Sequence, residues 1–541
     1  TIERGSMKSI KKFLAFILSM TLMLTLGTAA FGAQKTLPSG KDTGSINVTN
    51  LKPGDTVTAY QFVKADYNEY GFTGYSAINN YVKDPVAPTA QEVIDMASNA
   101  VTMTVAAEKK VATGDTEVTL NGLPVGYYLV MVTSGSETVY SPMIAGIYYS
   151  KSATDNTLTN GAISADSDFE IKAQKCWAKS STPKLEKTIV TPSSKNSKGD
   201  DIAIGDKITF NLSATVPSYS KEYKKVTYKI YDIMSEGLDY VDGSMKCFIE
   251  KYENNRENIK VAPKVNGGII EITFDSKFIL EHPGQKIQVE YQAKLNEKAG
   301  VNFDANINKA YLEYSNNPAS GSTAKTGEDK VYVYTFGIDS NLFGKSTEKW
   351  NGKTKELIKV EEGEYQWVET EKESGIFTTT TALEGATFTL TNNKTKKSYT
   401  ATSDKYGYLK FTGLDAGEYT LQETDAPDGF TLNDAKHTVV ITAEYNQDGT
   451  LKSYTIKIDD KATSTYTATY DKGVIKTITS TKDSQGNISE SAILKNSKMS
   501  FLPSTGGVGT TIFAIVGVVF VAAALGLHMI LRGKSKLEQD R

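Results

Sequence analysis

The sequence predicts an all-β chain: three tandem β-sandwich domains between a secretory leader and a C-terminal apolar helix. Short segments that alternate apolar and polar residues recur along the chain, separated by turns rich in Gly, Asn, Asp and Pro. Only one stretch of the interior, residues 88–106, has the Ala, Met and Val spacing of a substantial helix. Between the two terminal apolar runs lie roughly 470 residues, enough for about three domains.

Taken in order, Lys8, Lys11 and Lys12 form a positive region. Residues 13–26 are apolar but too short to span a bilayer comfortably, and small residues follow to Ala33. Residues 7–33 therefore read as a signal peptide, Thr1 to Ser6 as an upstream artefact, and export as the expectation.

The first module, 34–178, opens with Ser45-Ile46-Asn47-Val48-Thr49 and Val57-Thr58-Ala59-Tyr60, joined through Lys52-Pro53-Gly54-Asp55. The pattern returns in Glu117-Val118-Thr119-Leu120 and in Gly126-Tyr127-Tyr128-Leu129-Val130-Met131-Val132. The second module, 179–330, opens at Pro183-Lys184-Leu185-Glu186-Lys187 and continues through strand signals at 207–212, 226–232, 269–274, 287–293 and 310–314. Its Ser, Asn, Gly and Pro content makes 315–329 an exit linker. The third module, 331–500, begins at Val331-Tyr332-Val333-Tyr334, carries a polar insertion at about 347–380 and closes with Ala492-Ile493-Leu494-Lys495-Asn496. Repeated β-modules of this size point to immunoglobulin-like sandwiches in a row.

Composition narrows the function. Charges nearly balance at a formal net of −3, so nucleic acid is not expected as a partner. Two cysteines, Cys176 and Cys247, cannot form a disulfide framework, although a single bridge between them stays open. Three histidines, one of them in the C-terminal tail, provide neither a metal cluster nor a Ser/His/Asp site. No cofactor, no metal and no enzyme acting on external substrates is expected.

The last segment, 502–541, sets Leu502-Pro503-Ser504-Thr505-Gly506 before an apolar run at 508–531 and then Arg532, Lys534 and Lys536. A run of that length spans a bilayer as a helix, and the basic residues hold the tail on the cytoplasmic side. The arrangement resembles the cell-wall sorting signal of Gram-positive surface proteins, in which a sortase cysteine attacks the Thr-Gly bond, here Thr505-Gly506.

Two further stretches extend the resemblance. Tyr419-Thr420-Leu421-Gln422-Glu423-Thr424-Asp425-Ala426-Pro427-Asp428-Gly429-Phe430 is similar to the E-box of shaft pilins, and Leu383-Glu384-Gly385-Ala386-Thr387-Phe388-Thr389-Leu390 to a strand of collagen-adhesin (Cna) B-type domains. The chain thus resembles a major, or backbone, pilin built by a class C pilus sortase. What this implies is an intramolecular bond: a Lys amine displaces ammonia from an Asn carboxamide, next to a carboxylic acid. Burial favours the neutral amine, and the acid shuttles protons.

Carried over residue by residue, the resemblance implies Lys187, Asp232 as acid and Asn308 in the second module. In the third it implies Glu423 as acid and Asn496, with Lys345 as the nearest lysine. The first module has Met131 and Val132 where the acid would stand, so no cross-link is expected there. The lysine joining one subunit to Thr505 of the previous one would sit in Phe169-Glu170-Ile171-Lys172-Ala173-Gln174-Lys175-Cys176, which lacks the family's Tyr-Pro pair. Lys175 is the first choice and Lys172 the second.

The expected function is therefore that of a structural shaft subunit in a surface pilus (fimbrium), extracellular and covalently anchored to peptidoglycan after a transient stay in the membrane. Expected partners are the pilus and housekeeping sortases, further copies of the chain, minor pilins and peptidoglycan. A monomeric wall-anchored adhesin, or a tip or base pilin that meets host matrix, is the alternative.

Overall fold

The structure, a computed structural model, describes residues 37–150, 162–163, 169–482 and 492–495, apart from short internal stretches at 191, 194–195, 253–254, 339–342, 347–354, 362–363, 370–378, 382, 406–408 and 460–461. The leader and all of 502–541, with the apolar run 508–531, lie outside the described residues. Among the described residues, no helix is long and apolar enough to cross a membrane.

The chain divides into two compact units. One runs to Phe336 and includes Gly413–Asp415 and Tyr445–Lys452; the other holds the remainder from Gly337 onward.

Two sheet systems with their own cores make up the first unit. In the N-terminal one, Thr43–Thr49 lies between Glu117–Pro124, antiparallel, and Cys176–Trp177, parallel. A six-stranded sheet is ordered Gly71–Ala77, Thr56–Asn68, Gly126–Thr133, Met143–Ser150, Glu170–Ala173, with Val105–Lys110 also pairing Thr56–Asn68. Its strand Gly126–Thr133 is buried along most of its length rather than alternately. Both faces of that sheet are covered, which removes the usual polar side. One face packs Val57, Tyr128, Val130 and Ile147 against Ile46 and Val48. The other packs Phe62, Val63, Tyr127 and Leu129 under the helix Ala90–Ser98, through Val93, Met96 and Ala97.

This is the helix expected over 88–106, but shorter. It starts at a capping box in which the Glu92 N–H donates to Thr89 Oγ1 at 3.2 Å and the Thr89 N–H to Glu92 Oε2 at 2.8 Å. A 3-10 turn, Ala100–Thr102, follows, and from Val105 the chain is strand.

The middle system is a sandwich. One sheet is ordered Leu185–Val190, Lys207–Thr215, Lys286–Leu295, Lys246–Tyr252, Asn255–Ile259, with Leu238–Tyr240 also on Lys286–Leu295. The other is ordered Gly199–Asp201, Asp329–Tyr334, Asn306–Asn317, Tyr228–Met234, Ile269–Thr273, Lys264–Asn266, with Ser322–Lys325 on Asn306–Asn317. Phe210, Leu212 and Val289 of the first sheet share a core with Ile230, Ile272, Leu312 and Val333 of the second.

Two expectations need correction here. Residues 315–329 are not a linker, because Asn306–Asn317 and Ser322–Lys325 form a hairpin. The strand Asp329–Tyr334, read as the opening of the third module, pairs with Asn306–Asn317 and Gly199–Asp201 and so completes the middle sandwich. Its V-Y-V-Y alternation fixes the face each residue presents, not the sheet it joins.

The second unit is built on a seven-stranded sheet ordered Ser398–Thr402, Thr387–Asn392, Gly417–Asp425, Lys436–Tyr445, Leu451–Ile458, Ala462–Asp471, Val474–Lys482. The described part of the polar insertion forms three antiparallel strands, Lys355–Glu361, Glu364–Glu369 and Thr379–Thr381. Phe343–Ser346 runs parallel to Ala492–Lys495, so a strand near the start of this unit lies beside its last described strand.

Candidate functional site

Four strands of the middle sandwich contribute a polar residue to one buried cluster, at positions where alternation favours an apolar one. In Leu185–Val190 the buried positions are Leu185, Lys187 and Ile189. In Tyr228–Met234 they are Tyr228, Ile230, Asp232 and Met234. Asn308 occupies such a position between Asn306 and Ala310, and Tyr291 one between Val289 and Ala293. Lys187 and Tyr291 come from one sheet, Asp232 and Asn308 from the other. Asp232 lies opposite Ala310 in register, which makes Asn308 its diagonal neighbour on the same face. The pleat thus aims all four into the core.

All four are fully buried. Lys187 Nζ bonds Asp232 Oδ2 and lies 3.0 Å from Tyr291 Oη. The Tyr291 hydroxyl donates to Asp232 Oδ1 at 2.7 Å and accepts from Asn308 Nδ2 at 2.7 Å. Asn308 Oδ1 is buried without a hydrogen-bond partner, which is uncommon for a buried polar atom. Aromatic rings close the pocket: Nζ is 5.0 Å from the Phe210 centroid and 5.3 Å from that of Tyr291.

Burial drives the electrostatics. It pushes the Lys187 amine below its ordinary pKa, opposed but not overcome by the Asp232 carboxylate. It pushes the Tyr291 phenol well above its own, reinforced by the charge of Asp232 and the hydrogen bond to it. The lysine strand is pinned from behind. The Lys187 N–H donates to Asp329 Oδ2 at 2.6 Å, and Lys198 Nζ reaches the Lys187 carbonyl and Asp329 Oδ2, both at 2.6 Å. The arrangement is a preorganised amine, acid and carboxamide in an apolar box. It differs from the expected one in a single respect: the acid reaches the amide through Tyr291, not by a bond of its own.

Tyr291 is the residue that sequence reasoning missed. Its only signal is a hydroxyl-bearing aromatic at an inward position, which many core tyrosines share.

In the second unit, Glu423 is buried on Gly417–Asp425, opposite Phe388, and its Oε2 accepts the Asn433 N–H at 2.8 Å. Lys345 lies on Phe343–Ser346, opposite Leu494 in the parallel ladder. Asn496 follows that ladder in sequence and lies outside the described residues.

In the N-terminal system Val132 is buried and Met131 half-buried on Gly126–Thr133. The fully buried acid of this system is Asp55, on a turn. It accepts the Tyr140 hydroxyl at 2.6 Å and the backbone N–H groups of Lys52 and Gly135 at 2.8 and 3.1 Å.

Lys172 is half-buried on the edge strand Glu170–Ala173, opposite Tyr148. Lys175 is exposed just after that strand, beside Trp177, which is 69% exposed. Gln174 anchors the backbone between them: its N–H donates to the Gly146 carbonyl and its Oε1 accepts the Gly146 N–H, each at 2.9 Å. Cys176 and Cys247 are both buried free thiols.

Comparison with known proteins places these features. A T6 antigen Ig like domain matches residues 41–180, a prealbumin-like fold domain matches 376–457, which contains Glu423, and an LPXTG cell wall anchor motif matches 495–536, which contains Thr505. The chain is 27% identical to the trypsin-resistant surface T6 protein of Streptococcus pyogenes serotype M6, over 92% of this chain and 96% of that protein. Its fold is similar to that of the T6 backbone pilin of serotype M6 Streptococcus pyogenes, described as a modular three-domain structure, at a TM-score of 0.57 and 21% identity over 86% of this chain and 100% of that one. Together these matches make the chain similar, nearly end to end, to a streptococcal surface protein, with an LPXTG anchor motif in its C-terminal part.

Proposed function

We propose that this chain is the shaft subunit of a covalently polymerised surface pilus, cut by sortase between Thr505 and Gly506 and joined through Thr505 to a lysine of the next copy. The observation that carries the reading is the near end-to-end similarity to the T6 surface protein, which extends over all three modules. Lys175 is the linking lysine of choice because it is exposed on an anchored backbone, whereas Lys172 is half-buried. A pilus sortase would extend the fibre, and a housekeeping sortase would end it on peptidoglycan. Minor pilins would share the fibre, and the precursor would pause in the membrane at 508–531.

Two internal Lys-Asn bonds would stiffen each subunit. In the middle module Lys187 would join Asn308, and in the third Lys345 would join Asn496 with Glu423 as acid. The parallel ladder that brings Lys345 beside the strand preceding Asn496 supports the second assignment. The first module, with Met131 and Val132 where the acid would stand, would have none.

Wall extracts run on a denaturing gel test the proposal. A ladder of covalent multimers that disappears in Lys175→Ala, while monomer secretion persists, is the expected result. A ladder that survives the Lys175→Ala, Lys172→Ala double variant moves the linking site elsewhere. A single wall-linked band from the parent chain refutes the shaft reading in favour of an anchored adhesin.

A further inference from the structure

The Tyr291 hydroxyl is the one group of the middle-module cluster to which a Lys-Asn bond assigns no task, yet it contacts every reacting partner. Its Oη is 3.0 Å from the attacking nitrogen, 2.7 Å from the departing one and 2.7 Å from the acid. Among the described residues, Asp232 makes no hydrogen bond to Asn308; Tyr291 stands between them. An acid that cannot touch its leaving group cannot protonate it directly, and an amide nitrogen leaves only when protonated.

We propose that Tyr291 is a catalytic residue of the bond-forming step, relaying a proton from Asp232 to the departing carboxamide nitrogen of Asn308. This rests on the reading that Lys187 and Asn308 join.

The step balances. It begins with Lys187 as the neutral amine and Asp232 as the carboxylic acid. The Nζ lone pair forms a bond to Asn308 Cγ as the π pair of the C=O bond moves onto Oδ1, to return when the Cγ–Nδ2 bond breaks. The Tyr291 hydroxyl gives its proton to Nδ2 and takes one from Asp232, and the Asp232 carboxylate takes the surplus proton from Nζ. The Cγ–Nδ2 bond then breaks with its electron pair on nitrogen, and ammonia leaves. One proton has passed from Nζ to Nδ2, and both Asp232 and Tyr291 end as they began. A hydroxyl suits this work because it donates and accepts through one rotating O–H. Burial holds the phenol well above its ordinary pKa, so the hydroxyl still carries its proton when the amine attacks.

The decisive variant is Tyr291→Phe in the full chain, which keeps the ring packed on Phe210, 5.5 Å away between centroids, and removes only the hydroxyl. Protein from a short expression pulse is sampled over time, digested, and read by mass spectrometry for the peptide pair carrying Lys187 and Asn308, joined and lighter by one ammonia. The parent should join early; Tyr291→Phe should join at least about a hundredfold more slowly, the usual contribution of a positioned acid-base group. A second form carries 3-fluorotyrosine at position 291, which keeps the hydroxyl but makes it more acidic. Its rate and pH profile should shift, which a purely packing role would not produce. Joining at the parental rate in both forms overturns the relay and leaves the Lys187-Asn308 bond standing. A parent that never loses ammonia from this pair overturns both. Should Tyr291→Phe fail to fold, the fluorotyrosine profile decides: a shift supports the relay and an unchanged profile refutes it.

Discussion

Asn308→Ala isolates what the proposed Lys187-Asn308 cross-link of the middle module would contribute to stability. The substitution removes the acceptor of the bond but leaves Lys187 paired with Asp232 and Tyr291, so no buried charge is stranded. What is lost is the covalent closure of a loop of about 120 residues from Lys187 to Asn308, which by loop entropy is worth about 5 kcal/mol. For a module of about 150 residues, each kcal/mol moves the midpoint by roughly 2–4 °C, so the transition of this module should fall by on the order of 15 °C. Scanning calorimetry of the mature chain would follow it, with the intact mass of each sample as control: the variant should retain one ammonia that the parent has lost. A parent already at full mass, or a variant melting within about 2 °C of a cross-linked parent, would refute the reasoning.

The remaining predictions concern separate sites. In Asn308→Ala the Lys187 amine stays titratable with its pKa lowered by burial, so the unfolded chain binds more protons between that lowered value and the ordinary 10.5. Stability of the variant should therefore rise with pH through this window, relative to a parent whose nitrogen is an amide; equal pH slopes in chemical denaturation would contradict this. Burial pushes the thiol of Cys176 up to about 12 and that of Cys247 up to about 11, so neither should react with iodoacetamide in the folded protein near neutral pH, and both should once unfolded. Glu423→Ala should restore one ammonia to the mass of the third module; an unchanged mass would remove Glu423 from the chemistry. Limited proteolysis on warming should cut within residues 37–178 first, leaving a fragment that begins near Lys179, and survival of the N-terminal system instead would contradict the expected order of stability.

Lys187, Asp232 and Asn308 were named through the resemblance of their motifs to a family, and the strict period of two of a β-strand agrees with their burial. Lys187, Asp232 and Asn308 sit in phase with Leu185, Ile230 and Ala310, and that phase is printed in the sequence. Tyr291 was not legible, because a tyrosine in phase with Val289 and Ala293 reads as ordinary core, and only its three hydrogen bonds separate it from one. Strand existence was likewise easier to read than strand partnership. Asp329–Tyr334 was assigned to the wrong module because its parallel neighbour, Gly199–Asp201, is 130 residues away and leaves no local trace. The continuous burial of Gly126–Thr133 also could not be foreseen from the strand alone, since it depends on a helix docking over the far face of its sheet.

The parallel pairing of early and late strands has a mechanical consequence. Thr43–Thr49 runs beside Cys176–Trp177, and Phe343–Ser346 beside Ala492–Lys495, each pair pointing the same way. Within each pair, a chain that enters at the start of the early strand leaves past the end of the late one, at the opposite tip of the ladder. Tension on the two ends then slides one strand along the other. All the hydrogen bonds of the ladder bear the load together, where an antiparallel pair pulled from a shared tip would surrender them one at a time. Resistance to pulling is set by the rate of unfolding rather than by equilibrium stability, so this direction of pairing gives the fold an endurance under tension that its melting temperature would not reveal.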